Sequence, residues 1–306
     1  EAPLRYEISR YVFNARGVMC SPEQIVIGAG TQQITIQLTR ILNEMGISHA
    51  AMEEPGYIPV RNIFKDNGFV ITPVPVKADG ICIEKLPDNI RSVAYVSPSN
   101  QFPTGAVMPI GRRRELLEWA YKNDSIIIED DYDSELRYFG RPVPAMQGID
   151  GGRCVVYLGS FSSTLFPSIK ISYMILPDKM ADIFQKIKSN YTQTCSKAEQ
   201  LTLSLFMENG MYQTNIKKLR SLYSHKLQKT LTAISACGSD SVRAVNTSSG
   251  INIILETDSA SAAEALCAKA AEMGLDVQLS GENTLIFYYS RIPLEKTDKL
   301  ISQWLN

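Results

Sequence analysis

The run Ile25-Val26-Ile27-Gly28-Ala29-Gly30-Thr31-Gln32-Gln33 decides how this chain is read. Three β-branched apolar residues predict a short strand, and the small residues after them predict a turn. Beyond the turn, Ile34, Leu38, Ile41 and Leu42 fall at i, i+4, i+7 and i+8, one face of an amphipathic helix. Working outward, further strand candidates lie at 49–52, 70–76, 92–96, 125–128 and 155–158, with helical patterns between several of them, notably 112–122. Strands alternating with helices predict an α/β fold, a doubly wound and mostly parallel sheet with helices on both faces.

The C-terminal third reads differently. From 178 to about 237 the pattern is long-helical and free of proline. After it come strand (251–255), helix (260–273), strand (277–279), strand (285–289) and helix (296–305). The predicted division is therefore a large domain over 1–177, connecting helices over 178–237, and a small α+β domain over 238–306.

Composition narrows the function. The chain has 306 residues, 44% hydrophobic and 21% charged, with 31 Lys+Arg against 32 Asp+Glu for a net charge of −1. This balance excludes a disordered or collagen-like chain, and it lacks the basic excess of a nucleic-acid-binding domain. No apolar run approaches the roughly 20 residues of a membrane span, and no signal-peptide pattern opens the chain. A soluble, cytoplasmic protein is expected. Six scattered cysteines without a CxxC pair predict free thiols, and two histidines offer little material for a metal site. The start at Glu1 suggests a piece of something longer.

Five segments carry candidate chemistry. Gly28-Ala29-Gly30-Thr31-Gln32-Gln33 reads equally as a phosphate cradle at a helix N-terminus or as an ordinary turn; Gln33 stands where a dinucleotide fingerprint needs glycine. Glu129-Asp130-Asp131-Tyr132-Asp133 ends a buried strand, the edge of an α/β sheet where ligands bind. There a carboxylate suits a protonated pyridine nitrogen, whereas Asp131 and Asp133 read better as caps of the next helix. The hydroxyls of 160–164 with Lys170 suit a phosphate monoester. Glu53-Glu54-Pro55-Gly56-Tyr57 reads as an exposed turn carrying an aromatic ring, and Ser97-Pro98-Ser99-Asn100-Gln101-Phe102-Pro103-Thr104-Gly105 as a polar loop after a strand. The Arg112–Arg114 run reads as a solvated helix face.

In this order the motifs resemble a family: the aminotransferase-like domain (fold type I, pyridoxal-phosphate-dependent) of MocR/GabR-type bacterial regulators, whose DNA-binding region is a GntR-type winged helix. The resemblance spans essentially the whole chain. It rests on Arg16-Gly17-Val18, Gly30-Thr31-Gln32-Gln33, Glu54-Pro55-Gly56-Tyr57, Gln101-Phe102-Pro103-Thr104-Gly105, Glu129-Asp130-Asp131-Tyr132-Asp133-Ser134-Glu135 and Gly159-Ser160-Phe161-Ser162. It implies that Gly30, Thr31, Gln32, Ser160, Ser162 and Lys170 hold the phosphate of pyridoxal 5'-phosphate. Tyr57 would stack on the ring, Asp130 pair with its nitrogen, Tyr132 bond its hydroxyl, and Asn100 lie in the loop beside it.

Lys170 stands where the family usually has arginine, and a second departure weighs more. The family reads Ser-Phe-Ser-Lys, its lysine forming the internal aldimine; this chain reads Ser160-Phe161-Ser162-Ser163, lost in nature or replaced by design. A serine cannot form a Schiff base. The resemblance thus implies a non-enzymic effector-sensing domain, not an aminotransferase. An amino acid or amino compound would react with the seated cofactor through an aldimine, and the changed occupancy would bias a conformational equilibrium. It further implies a homodimer, DNA contact only through a region ahead of Glu1, and Arg291 as the one candidate to grip an effector carboxylate.

Overall fold

Gly30 turns the chain from strand into helix with φ +89°, a backbone that side-chain-bearing residues rarely adopt. The computed structural model in which this is seen describes residues 1–139, 143–237, 241–245 and 247–306; the expected boundary at 238 lies outside them. Two compact units divide the chain.

The first unit comprises Glu1–Phe102, Ala106–Tyr132 and Pro142–Gln213. Its elements are α1 (Ala2–Arg16), β1 (Ile25–Ala29), α2 (Thr31–Glu44), β2 (His49–Glu54), α3 (Ile58–Asp66), β3 (Val70–Lys77), β4 (Gly80–Ile81), β5 (Val93–Val96) and α4 (Ile110–Lys122). They continue with β6 (Ile126–Asp130), α5 (Met146–Asp150), β7 (Val155–Ser160), β8 (Ile171–Ile175), α6 (Asp178–Ile187), α7 (Lys197–Glu208) and the start of α8 (Met211–Ala236). One eight-stranded sheet runs β1-β8-β7-β6-β5-β2-β3-β4. β3, β2, β5, β6 and β7 are mutually parallel, as expected. β8, unforeseen in the sequence, is antiparallel to both β7 and β1. The predicted apolar stripe of α2 is borne out: Ile34, Leu38, Ile41 and Leu42 are fully buried, and the helix packs on β1 and β8. Residues 178–213, expected among the connecting helices, pack within this unit.

The second unit takes Pro103–Gly105, Asp133–Arg141 and Thr214–Asn306. From Thr214 it contains the rest of α8, then β9 (Val242–Val245), β10 (Ile253–Thr257), α9 (Ala260–Glu272), β11 (Val277–Gly281), β12 (Thr284–Phe287) and α10 (Thr297–Leu305). Its sheet, ordered β11-β12-β10-β9, is antiparallel throughout. The expected strand over 285–289 stops at Phe287, and Tyr289–Arg291 forms a 3-10 turn. Buried Phe287 and Trp304 pack with ring centroids 4.8 Å apart.

Candidate functional site

Sheet order, not sequence order, assembles the first unit's predicted residues. Strands β1, β7, β6, β5 and β2 all point the same way, so Gly30, Ser160, Asp130, the loop after Val96 and Tyr57 lie at or just past their carboxyl ends. β8 runs the other way and begins there, just after Lys170. Lys170 adopts φ 48°, and its Cδ would stand 3.9 Å from a Cβ placed on Gly30. A cation thus lies against the start of α2, a helix with no side chain capping its N-terminus. Both features favour an anion.

Register then selects a face. Tyr95 pairs with Ile128, Asp130 with Leu158, and Ser160 with Ser172, which also pairs with Gly28. Because side chains alternate along a strand, Tyr95, Asp130, Ser160 and Ser172 share one face of the sheet. The Tyr95 hydroxyl donates to the Asp130 carboxylate. Ser172 donates to Ser160 Oγ at 3.0 Å, and the Ser162 N–H donates to the same oxygen at 3.3 Å.

The neighbouring acids face the other way and are structural. Glu129 is fully buried, accepts the N–H groups of Met146 (2.9 Å) and Gln147 (3.0 Å), and lies 3.6 Å from Arg113. Burial and the charge of Asp131 push its carboxyl up to about 7. Asp131 accepts from Arg16 at 2.8 and 2.9 Å and from Tyr157 Oη at 2.5 Å. Burial opposes its charge, yet the Arg16 guanidinium holds it below the usual carboxylate range. Asp131 is therefore no helix cap. Asp133 does occupy an N-cap position, but its side chain makes no capping bond.

Two other readings are corrected. Arg113 is wholly buried, donating to the carbonyls of Met108, Pro144 and Pro98, so it leaves the solvated face on which Arg114 stays exposed and Arg112 half-buried. Its position was legible: residues 113, 116, 117 and 120 form the buried stripe of α4. The segment read as an exposed turn buries Glu53, and that burial pushes its carboxyl up to about 8, with Asp130 adding to the rise. Tyr57 remains 39% exposed, its ring edge-on to Phe102 at 6.4 Å. Asn100 is buried and Tyr132 half-buried, two residues past Asp130. Tyr95 and Ser172 escaped the sequence reading, since only cross-strand pairing reveals their company.

Ser163 sits in a well-anchored turn. Leu165 N–H donates to Phe161 O at 3.0 Å, Phe161 is buried, and Thr164 Oγ1 lies 2.9 Å from Tyr212 Oη. Arg291 belongs to the second unit, where it is 70% exposed, ion-paired with Asp276 and set over the Tyr288 ring. All six cysteines are free, and among the described residues no cluster could hold a metal ion and no helix is long and apolar enough to cross a membrane.

A neutral Glu53 carries a measurable consequence. Its folded value lies above the ordinary 4.5, so between about pH 4.5 and 8 the folded state binds more protons than the unfolded chain. This contribution to stability is complete below the lower value and is lost as pH rises through the upper one. Glu53→Gln, which does not titrate, should abolish that decline with pH, so that at high pH the variant is the more stable by an amount on the order of a few kcal/mol. Thermal melts at pH 5 and pH 8.5 check it; parallel declines in both proteins would contradict a neutral Glu53.

A phosphate-favouring helix start beside Lys170, hydroxyls on the adjoining strands and a carboxylate on the same face define an α/β protein of the fold type I aminotransferase class. The chain belongs to the aminotransferase class I and II family, whose sequence profile matches residues 2–283. That family implies pyridoxal phosphate. The chain is 43% identical over 277 residues to the uncharacterized HTH-type transcriptional regulator YdeL of Bacillus subtilis, covering 90% of this chain and 59% of that protein. It is 39% identical over 231 residues to the probable rhizopine catabolism regulatory protein MocR of Rhizobium meliloti, covering 76% and 46% respectively. It therefore spans about half the length of these curated relatives. An archaeal alanine:glyoxylate aminotransferase shares the fold, with a TM-score of 0.84 at 23% identity over 99% of this chain and 79% of that one.

Proposed function

We propose that this chain is the effector-sensing, pyridoxal-phosphate-binding domain of a MocR-type transcriptional regulator, acting in the cytoplasm as a homodimer. DNA would be contacted through a helix-turn-helix region outside these residues, in keeping with the regulators it resembles. The observation that supports the reading is one sheet face bearing Asp130 and Ser160, with Lys170 against the start of α2, in a chain with a serine where the family it resembles has its lysine.

The residues suit the cofactor. Gly30, Thr31 and Gln32 at the α2 N-terminus, with Ser160, Ser162 and Lys170, would hold the phosphate; Asp130 would pair with the ring nitrogen, Tyr57 would stack on the ring, and Tyr132 and Asn100 would lie beside it. When bound, the cofactor supplies an aldehyde that primary amines attack. Ser163 leaves that aldehyde without a lysine competitor, so an amino compound would stay bound instead of turning over. Binding of that compound shifts the domain between conformations, which is the signal. A transaminase would need the missing lysine as anchor and proton carrier.

The test adds amino acids and simple amines to the cofactor-loaded protein and follows its visible absorbance, with and without Arg291→Ala. Primary amines should change the spectrum persistently, and carboxylate-bearing ones should respond more weakly in Arg291→Ala. An identical response in both proteins removes Arg291 from the site. No response to any amine ends the sensing reading, and steady amino-group transfer to a keto acid replaces it with the enzyme.

A further inference from the structure

Two loops would frame the ring of the proposed cofactor: 54–57 after β2, carrying Tyr57, and 97–105 after β5, carrying Asn100. They meet at one buried pair. Glu53 Oε2 accepts the Ser97 N–H at 3.3 Å and Gln101 Nε2 at 3.2 Å. The same Gln101 nitrogen lies 2.8 Å from Pro55 O and 2.7 Å from Phe102 O. One buried amide thus joins the strand end, the first loop and the second.

The backbone closes around this pair. A Cβ on Gly56 would stand 2.3 Å from Glu53 O, so the turn folds directly over Glu53 and admits only glycine. Arg61 of α3 donates to Glu53 O at 3.0 Å, while its ion pair is with Glu54, not Glu53. Phe102, next to Gln101, presents the Tyr57 ring with its edge.

Glu53 has no cationic partner within 4 Å among the described residues, and its Oε1 has no hydrogen-bond partner. A buried carboxylate in that position would face desolvation unrelieved, beside the like charge of Asp130. With Oε2 accepting two N–H groups, it behaves as the carbonyl oxygen of a protonated acid.

We infer that Glu53 is a positioning residue that works as a neutral acid, clasping Gln101 and thereby setting Tyr57 and Asn100 around the cofactor ring. The inference rests on the reading that this site binds pyridoxal phosphate. Its burial-raised proton affinity agrees with the geometry. A carboxamide has the same shape and the same acceptor, so Glu53→Gln preserves the clasp; Glu53→Ala and Gln101→Ala abolish it.

The experiment measures pyridoxal phosphate affinity by equilibrium dialysis and the visible circular dichroism of the bound cofactor, with thermal midpoints alongside. Glu53→Gln should keep both near those of the unvaried protein. Glu53→Ala and Gln101→Ala should each lose roughly tenfold in affinity, the usual cost of breaking one buried hydrogen-bonded pair, together with most of the dichroism. The double variant should lose no more than either single one, because both remove the same contact. Infrared difference spectra of the unvaried protein against Glu53→Gln, taken at slightly acid pH without cofactor, should show a protonated-carboxyl carbonyl band; this readout survives if an alanine variant fails to fold. Its absence, equal damage by glutamine and alanine, or unchanged dichroism in Gln101→Ala overturns the clasp. Absence of saturable cofactor binding by the unvaried protein instead overturns the functional reading.

Discussion

Asp130→Asn is expected to weaken pyridoxal phosphate binding by about a hundredfold while leaving the fold near its original stability. Asparagine keeps an acceptor for the Tyr95 hydroxyl, which the aspartate now receives, and removes only the charge that would meet a pyridinium. The figure is the lower end of what losing one member of a buried ion pair costs. The neighbouring acid should behave in the opposite way. Asp131→Ala strands the Arg16 guanidinium, whose side chain is only 9% exposed, and costs roughly 3–5 kcal/mol of stability. Asp133→Ala, off the strand end, should affect cofactor affinity far less than any change at Asp130. Dialysis with the cofactor and urea unfolding of each variant separate the two kinds of loss. Equal effects of Asp130 and Asp133 substitution on affinity would remove Asp130 from its role.

Borohydride treatment of the cofactor-loaded protein, followed by intact mass, is expected to add no cofactor mass. Ser163 offers no amine, and Lys170 stands against Gly30, at the end assigned to the phosphate. Ser163→Lys should restore a reducible covalent link, because the turn around it is held by Phe161 and Thr164 and needs no rebuilding. The expected change is from no labelling to near-stoichiometric labelling. A lysine labelled in the unvaried protein would show that another amine reaches the aldehyde, and the placement of Lys170 would be the first to fall.

The two results depend on different kinds of information. Ser163 in place of lysine is legible only through the family resemblance, whereas the acidic string ending a strand, the glycine turn and the apolar stripe of α2 are legible in the chain as written. Each depends on residue type, local order or a helical or strand period, and such signals survive without knowledge of distant neighbours. Family resemblance added the roles of the site residues, while the fold class followed from the alternation of strands and helices alone.

What only the tertiary structure decided concerns partners. Four acids within five residues look alike in sequence, but pleat alternation and pairing give Glu129 and Asp131 to buried arginines and Asp130 to Tyr95. Insertion of antiparallel β8 between β1 and β7 brings Lys170 beside Gly30, 140 residues earlier in the chain. Arg113 and Glu53 read as surface charges and turned out to be buried, because whether a charge can leave water is settled by the donors and acceptors that distant segments bring to it. The stripe of α4 puts Arg113 on the buried face, but the partners that receive it, like those around Glu53, have no period along the chain, so no local pattern announces them.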